Sequence, residues 1–399
     1  MNVTICPGKL RGSLEVNPSK SQAHRLMILA AFGDRPTRLI CGQSNRDMEA
    51  TADCLRALGA EIEKGEGYFL VTPAAHIPEK ATLYCRDSGS TLRFLLPVVG
   101  ALGVDARFRM EGRLPQRPLS PLWEEMERMG CRLSWEDGVT LRCTGRLQAG
   151  AYTMDGGVSS QFVTGLLLAG ALMDGETRVR ILGKLQSRPY VDMTVQALNR
   201  YGIECRDYTV RGGRKPRSPG ELTVEGDWST AAFFLAANAL GSNVTLTGLL
   251  PDSAQGDRAA AALIPALQAG KQTISLADIP DLAPALAVTA ACCHGAEFTD
   301  IRRLRLKESD RVASILRMLS ALGGRGEAGE NTMTVFGTGL TGGTVDSGND
   351  HRIAMAAAIA ATACREPVTV LGAECAAKSY PRFFEEYRRL GGNYEQCLR

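Results

Sequence analysis

The chain reads as α/β, and three features of the sequence lead to that class. A polar, cap-like cluster followed by an apolar, Ala-rich run recurs along the chain. An amphipathic helical pattern closed by Gly keeps the same spacing. Short runs with strand character, such as "GYFLVTP" and "NVTLTG", lie between them.

The first pattern opens at Pro18 with "PSKSQAHRLMILAAFGD". It returns at Asp87 ("DSGSTLRFLLPVVGAL"), Ser159 ("SSQFVTGLLLAGAL"), Asp227 ("DWSTAAFFLAANAL"), Ile279 ("IPDLAPALAVTAACC") and Ser347 ("SGNDHRIAMAAAIAA"). Ser19 or Ser21 suits the cap of the first run, because a Ser oxygen accepts from the unsatisfied N–H groups of a first helical turn. The runs are apolar on nearly every face, so the other elements must enclose them. The second pattern appears as "CLRALGAEIE", "EEMERMGCRLS", "QALNRYGIECR", "ILRMLSALGGRGE" and "EEYRRLGGNYE", each an amphipathic helix with a Gly C-cap leading into a strand. "LIPALQAGKQTIS" is a weaker copy. Both series step by about 70 residues, with one shorter step of about 53 between the fourth and fifth copies, which implies roughly six units. Six units in two groups of three give two domains of similar size, in keeping with a length of 399 residues.

Composition narrows the function. A hydrophobic content of 44% with 22% charged residues describes an ordinary globular protein, and a net charge of +3 gives no case for nucleic acid or a membrane surface. The longest apolar runs, such as "FVTGLLLAGALM", stop short of the roughly 20 residues of a membrane span. "MNVTICPGKLRGS" lacks the apolar core of a signal peptide, so a cytoplasmic location is expected. The 12 cysteines are irregularly spaced, as free thiols in a reducing compartment would be. Cys292-Cys293-His294 has no CxxC partner and reads as packing at a helix end, so no metal is expected. The chain has no P-loop, no GxGxxG following a strand and no GxSxG elbow. The basic run "RGGRKPRSPG", Arg211 to Gly220, reads as an exposed hairpin loop.

The informative charges are the cations at the recurring caps and beside Gly, Ser or Pro: Lys20, Arg25, Arg93, Arg117, Arg188, Lys307, Arg311, Arg352 and Lys378. Capping does not explain them, since the helix dipole disfavours a cation at an N-terminus. Each alone is compatible with a solvated surface charge. Together they suit small polyanions, because orphan N–H groups and guanidinium forks both bind phosphate and carboxylate. Asp281 and Glu308 stand among these cations. Helix capping accounts for the first and a salt bridge for the second as well as proton chemistry does.

These residues carry a resemblance. "PSKSQAHR", "DSGSTLRFLLPV", "SSQFVTGLLLA", "SRPYVDMT", "IPDLAPALA", "RLKESDRVAS", "GNDHRIAM" and "AAKSYPRFF" are similar, in order and over nearly the whole chain, to the motifs of the enolpyruvyl transferases, in the branch that serves the shikimate pathway. The resemblance implies two inside-out α/β globes, each of three βαβαββ units with buried helices. It implies a discontinuous domain of residues 1–18 with 228–399 and a second of 19–227, joined by a double-crossover hinge, with the active site in the cleft that closes over the substrates. The implied reaction moves the enolpyruvyl group of phosphoenolpyruvate to the 5-hydroxyl of shikimate 3-phosphate through a tetrahedral intermediate, in a monomer, without metal or cofactor.

On that resemblance Lys20 touches both substrates and Gln161 lies between them. Ser21 and Arg25 meet the shikimate hydroxyl and carboxylate, Ser159, Ser160 and Ser187 its phosphate, and Tyr190 its ring. The phosphoenolpyruvate phosphate meets the Gly89 amide, Arg117 and Lys378, and its carboxylate meets Arg311 and Arg352. Asp281 accepts the 5-hydroxyl proton, Glu308 exchanges protons with the methylene carbon, and Lys307 supports the shikimate side. Gly89 implies glyphosate inhibition competitive with phosphoenolpyruvate. Two residues depart from the family's pattern: Asp87 and Arg303 stand where Asn is usual. The sister branch, acting on UDP-N-acetylglucosamine, places a reactive Cys shortly before the Arg matched by Arg117, and "MEGRLPQRPL" has none.

Overall fold

The computed structural model describes residues 1–397. The chain forms two compact units, Pro18–Glu225 and Met1–Asn17 together with the chain from Gly226 onward.

The first unit holds helices α1 (Lys20–Ala31), α2 (Arg46–Ala57), α3 (Gly89–Leu102), α4 (Leu122–Arg128), α5 (Ser160–Gly170) and α6 (Arg188–Arg200). The second holds α7 (Trp228–Ala239), α8 (Ala260–Ala269), α9 (Ala283–Cys292), α10 (Arg311–Ala321), α11 (His351–Ala360) and α12 (Phe383–Arg389). The odd-numbered helices are the apolar runs and are buried along almost their whole length. The even-numbered helices are the second pattern and bury one side.

Strands form six small sheets among the described residues, three in each unit. The clearest copy runs strand Lys80–Arg86, α3, strand Asp105–Met110, α4, then the hairpin Cys131–Trp135 and Thr140–Gly145. Its first two strands are parallel, and the others join antiparallel. The helix between the parallel strands supplies the crossover that such a pair needs, and it is enclosed because it is apolar on nearly every face. Two sheets borrow a strand from a distant part of the sequence. Glu221–Thr223 lies parallel to Thr37–Gly42, and Asn2–Cys6 sits between Val368–Leu371 and Asn393–Cys397. One copy is cut short. Arg11–Glu15 and Asn243–Thr247 make a two-stranded parallel sheet, and α8 passes directly to Gln272–Ser275, the first strand of the next sheet. The missing hairpin accounts for the shorter step in the sequence.

Each unit closes over its own apolar core. The segment Arg211 to Gly220 differs from the sequence expectation. It is no hairpin, because it links Thr209–Arg211 of one sheet to Glu221–Thr223 of another. It is also fastened down: the Ser218 and Thr37 hydroxyls lie 2.7 Å apart, Ser218 N donates to Asp34 at 2.8 Å, and Arg35 donates to Ser218 O at 2.9 Å. Gly and Pro mark a turn of the chain without saying which sheet comes next.

Candidate active site

In the first unit the N-termini of α1, α3 and α5 are capped alike, by Ser19, Ser88 and Ser159, whose oxygens accept from Gln22 N, Thr91 N and Gln161 N. Hydrogen bonds tie these ends together. Gln161 donates to the Ser90 hydroxyl at 3.0 Å and accepts from Arg93 at 2.8 Å. Arg25, enclosed beneath them, donates to Ser21 O, to Thr194 at 2.8 Å and to Tyr190 O at 2.7 Å. Burial lowers its pKa to about 9, against the pull of Tyr190. Lys20 pairs with Asp47 at 2.7 Å, with both side chains largely enclosed. A Cβ built on Gly89 would stand 2.8 Å from Arg117 Nη1 and 3.2 Å from Arg93 Nη1, so both guanidinium groups crowd that backbone position. Ser160 is buried beside Ser159. Ser187 precedes α6 with φ +55°, a left-handed conformation costly for a side-chain-bearing residue. Arg188, next to it, points outward and pairs with Asp192 at 3.6 Å, which fits the reading of a solvated charge.

In the second unit the cluster is built on Asp281, in the 3-10 turn Pro280–Leu282 ahead of α9. Arg311 Nη1 approaches its carboxylate at 2.8 Å, Arg352 Nη2 at 3.0 Å and Lys307 at 3.4 Å. Asp281 does not cap α9. Burial pushes its carboxyl up, but Arg352, Lys307 and Arg311 together hold it well below the usual carboxylate range. Burial lowers Lys307 to about 8, despite Asp281, with Arg311 and Arg303 adding to the fall. Arg311 is the hub. Its side chain has no exposed surface, and it also meets Glu308 at 2.7 Å and Asp350 at 3.1 Å. Glu308 is therefore in the salt bridge that pattern alone allowed. Asp350 caps α11 through Arg352 N at 3.0 Å and accepts from Ser309 at 2.9 Å. Lys378 is buried at the end of the 3-10 turn Ala373–Lys378, which packs on α11.

Such an arrangement can bind anions on both clusters and hold an ionised carboxylate beside an ammonium that readily gives up its proton. A family model described as EPSP synthase (3-phosphoshikimate 1-carboxyvinyltransferase) matches residues 6–387. The chain belongs to the EPSP synthase family.

Relatives within that family run the full length. The chain is 36% identical to the 3-phosphoshikimate 1-carboxyvinyltransferase of Clostridium kluyveri, over 99% of this chain and 98% of that one. It is 35% identical to that of Clostridium beijerinckii, with the same coverage. Among solved structures, EPSP synthase from Acinetobacter baumannii superposes with a TM-score of 0.80 at 24% identity, covering 99% of this chain and 100% of that one. The enolpyruvyl transferase NikO from Streptomyces tendae gives 0.76 at 19% identity, covering 99% and 98%. These two likenesses bear on the fold, which is that of the enolpyruvyl transferases.

Sequence reading missed several members of the clusters. Asp47 reads as an ordinary acid in the first turn of α2, and Asp350 as an ordinary cap. A buried chain of hydroxyls also went unread: His24 Nδ1 lies 2.6 Å from Thr51 Oγ1, which lies 2.8 Å from Thr91 Oγ1, which donates to Ser88 at 2.8 Å. The Thr residues sit inside helices, where a hydroxyl gives no local signal of its partner.

Proposed function

We propose that this chain transfers the enolpyruvyl group of phosphoenolpyruvate to the 5-hydroxyl of shikimate 3-phosphate and releases phosphate. The observation that carries the reading is the Asp281 carboxylate ringed by Lys307, Arg311 and Arg352, in a chain of this family. The 5-hydroxyl oxygen bonds to C2 of phosphoenolpyruvate while its proton passes to Asp281. The C2–C3 electron pair takes a proton at C3, supplied from Glu308 or Lys20. In the second half a C3 proton returns to the group that supplied it, the double bond re-forms and phosphate departs with the C2–O pair. Positioned charges stabilise both steps.

Lys20, Ser21, Arg25, Ser159, Ser160, Gln161, Ser187 and Tyr190 hold shikimate 3-phosphate in this reading, with Lys307 and Asp281 from the other cluster. Gly89, Arg117, Arg311, Arg352 and Lys378 take phosphoenolpyruvate, with Lys20 and Gln161. Since all three nitrogens of Arg311 face carboxylates, an incoming carboxylate displaces Glu308 or Asp281 there. Among the described residues no helix is long and apolar enough to cross a membrane, and a cytoplasmic monomer suits the reading.

Phosphate release with phosphoenolpyruvate is the test, using shikimate 3-phosphate or UDP-N-acetylglucosamine as acceptor. Turnover is expected with the first only, and Asp281→Asn should lower kcat by about 100-fold or more. Turnover confined to the sugar nucleotide would overturn the assignment.

A further inference from the structure

The hydroxyl chain from His24 to Ser88 has no part in the reaction as written, yet it joins α1, α2 and α3 of the first unit, and its four residues are fully buried. The hydrogens can be counted along it. Thr91 has one hydroxyl hydrogen and donates it to Ser88 at 2.8 Å. The 2.8 Å bond between Thr51 and Thr91 therefore uses the hydrogen of Thr51. Thr51 has none left for His24, so it accepts at 2.6 Å, and His24 carries a hydrogen on Nδ1. The chain thus runs one way, from the imidazole to the oxygen that caps α3, which also accepts from Thr91 N at 3.3 Å. Lys20 and His24 stand one turn apart on α1, and Asp47 and Thr51 one turn apart on α2. The pairs Lys20–Asp47 at 2.7 Å and His24–Thr51 at 2.6 Å are two rungs between the same helices. Helix α2 also holds the approach to the cap, because Asp53 pairs at 2.9 Å with Arg86, two residues before Ser88. Arg86 has φ +52°, a conformation that persists in a residue with a side chain only where its surroundings fix it. Stability alone does not call for such a chain, since apolar side chains of similar volume would fill the space without enclosing polar groups. A satisfied network adds one defined placement of the helices that share it.

We propose that Thr51 is a positioning residue for phosphoenolpyruvate, acting with His24 to fix the first turn of α3, and with it the Gly89 amide, relative to Lys20. This rests on the function proposed above. Thr51 acts without touching substrate. Its hydroxyl, through Thr91, sets the Ser88 oxygen, the Ser88 oxygen holds Thr91 N, and that bond decides where the remaining N–H groups of the first turn point. Lys20 is tied to the same helix one turn away. Two of the groups that meet phosphoenolpyruvate therefore keep a fixed spacing before it arrives, and a shift of either misplaces the phosphate.

The test is steady-state phosphate release, with phosphoenolpyruvate and shikimate 3-phosphate varied in turn, for the wild type, Thr51→Val, Thr51→Ser and Leu55→Val. Thr51→Val keeps the shape and removes the hydroxyl. It should raise KM for phosphoenolpyruvate about fivefold or more, with KM for shikimate 3-phosphate within about twofold and kcat within about threefold of wild type. Thr51→Ser retains the hydroxyl and should bring KM for phosphoenolpyruvate back to within about twofold. Leu55, buried one turn further along α2, is outside the chain, so Leu55→Val should lower stability and leave that KM alone. A Thr51→Val enzyme with the wild-type KM for phosphoenolpyruvate overturns the proposal. An equal rise in Thr51→Ser or in Leu55→Val also overturns it, because a merely structural role would give that result. If circular dichroism shows Thr51→Val unfolded, His24→Leu decides, and a wild-type KM for phosphoenolpyruvate there overturns the proposal. A wild type inactive on these substrates would instead sink the function itself.

Discussion

Gly89 is constrained by two side chains rather than by its own backbone. A methyl group there meets Arg117 Nη1 at 2.8 Å and Arg93 Nη1 at 3.2 Å, and the flexible guanidinium groups must retreat. If Arg117 binds the phosphate of phosphoenolpyruvate, Gly89→Ala should raise KM for that substrate about fivefold or more and leave KM for shikimate 3-phosphate near wild type. The Ki of glyphosate should rise with it. Steady-state kinetics with each substrate varied in turn would check this, and unchanged values would place Arg117 elsewhere. Arg311 shows the same dependence on surroundings. With three carboxylates on one enclosed guanidinium, its charge is fully used before any ligand arrives, so binding there is an exchange of partners rather than an addition.

Buried helices pack closely where small residues let backbones approach. A Cβ at Gly165 of α5 would stand 2.3 Å from the Arg93 carbonyl oxygen of α3, and backbone cannot swing aside as a side chain can. Gly165→Ala should therefore cost about 1–3 kcal/mol of stability, and by shifting Arg93 loosen its bond to Gln161. Denaturant unfolding together with KM measurements would show both effects, and a variant as stable as wild type would contradict the contact. The helices themselves were readable in the sequence. Caps, Gly stops and apolar periodicity are local, and all six buried runs and all six amphipathic runs became helices. The clipped copy was visible only as a short step, because a hairpin that is absent leaves no residues to read.

Strand exchange between the ends of the chain organises the molecule. Asn2–Cys6 fills an interior place in a sheet of the second unit, pairing on both sides. Deleting residues 2–6 should expose both flanking strands and unfold that unit, while Pro18–Glu225 retains its own core. Limited proteolysis should leave a resistant fragment close to that span, and uniform digestion would show that the two cores do not stand independently. Of the clusters, the sequence revealed the cations at the caps and little of what they touch. Lys20 and Asp47 are 27 residues apart, and Arg311 and Asp350 are 39 apart.

The sequence by itself determined the α/β class, the sixfold repetition and the placing of cations at buried helix ends, because periodicity, caps and composition act over a few residues. Tertiary structure decided which carboxylate each cation faces, which sheet each terminal strand enters and where a hydroxyl such as that of Thr51 is enclosed. Those outcomes depend on distance and solvent exclusion after folding, and no local pattern carries either.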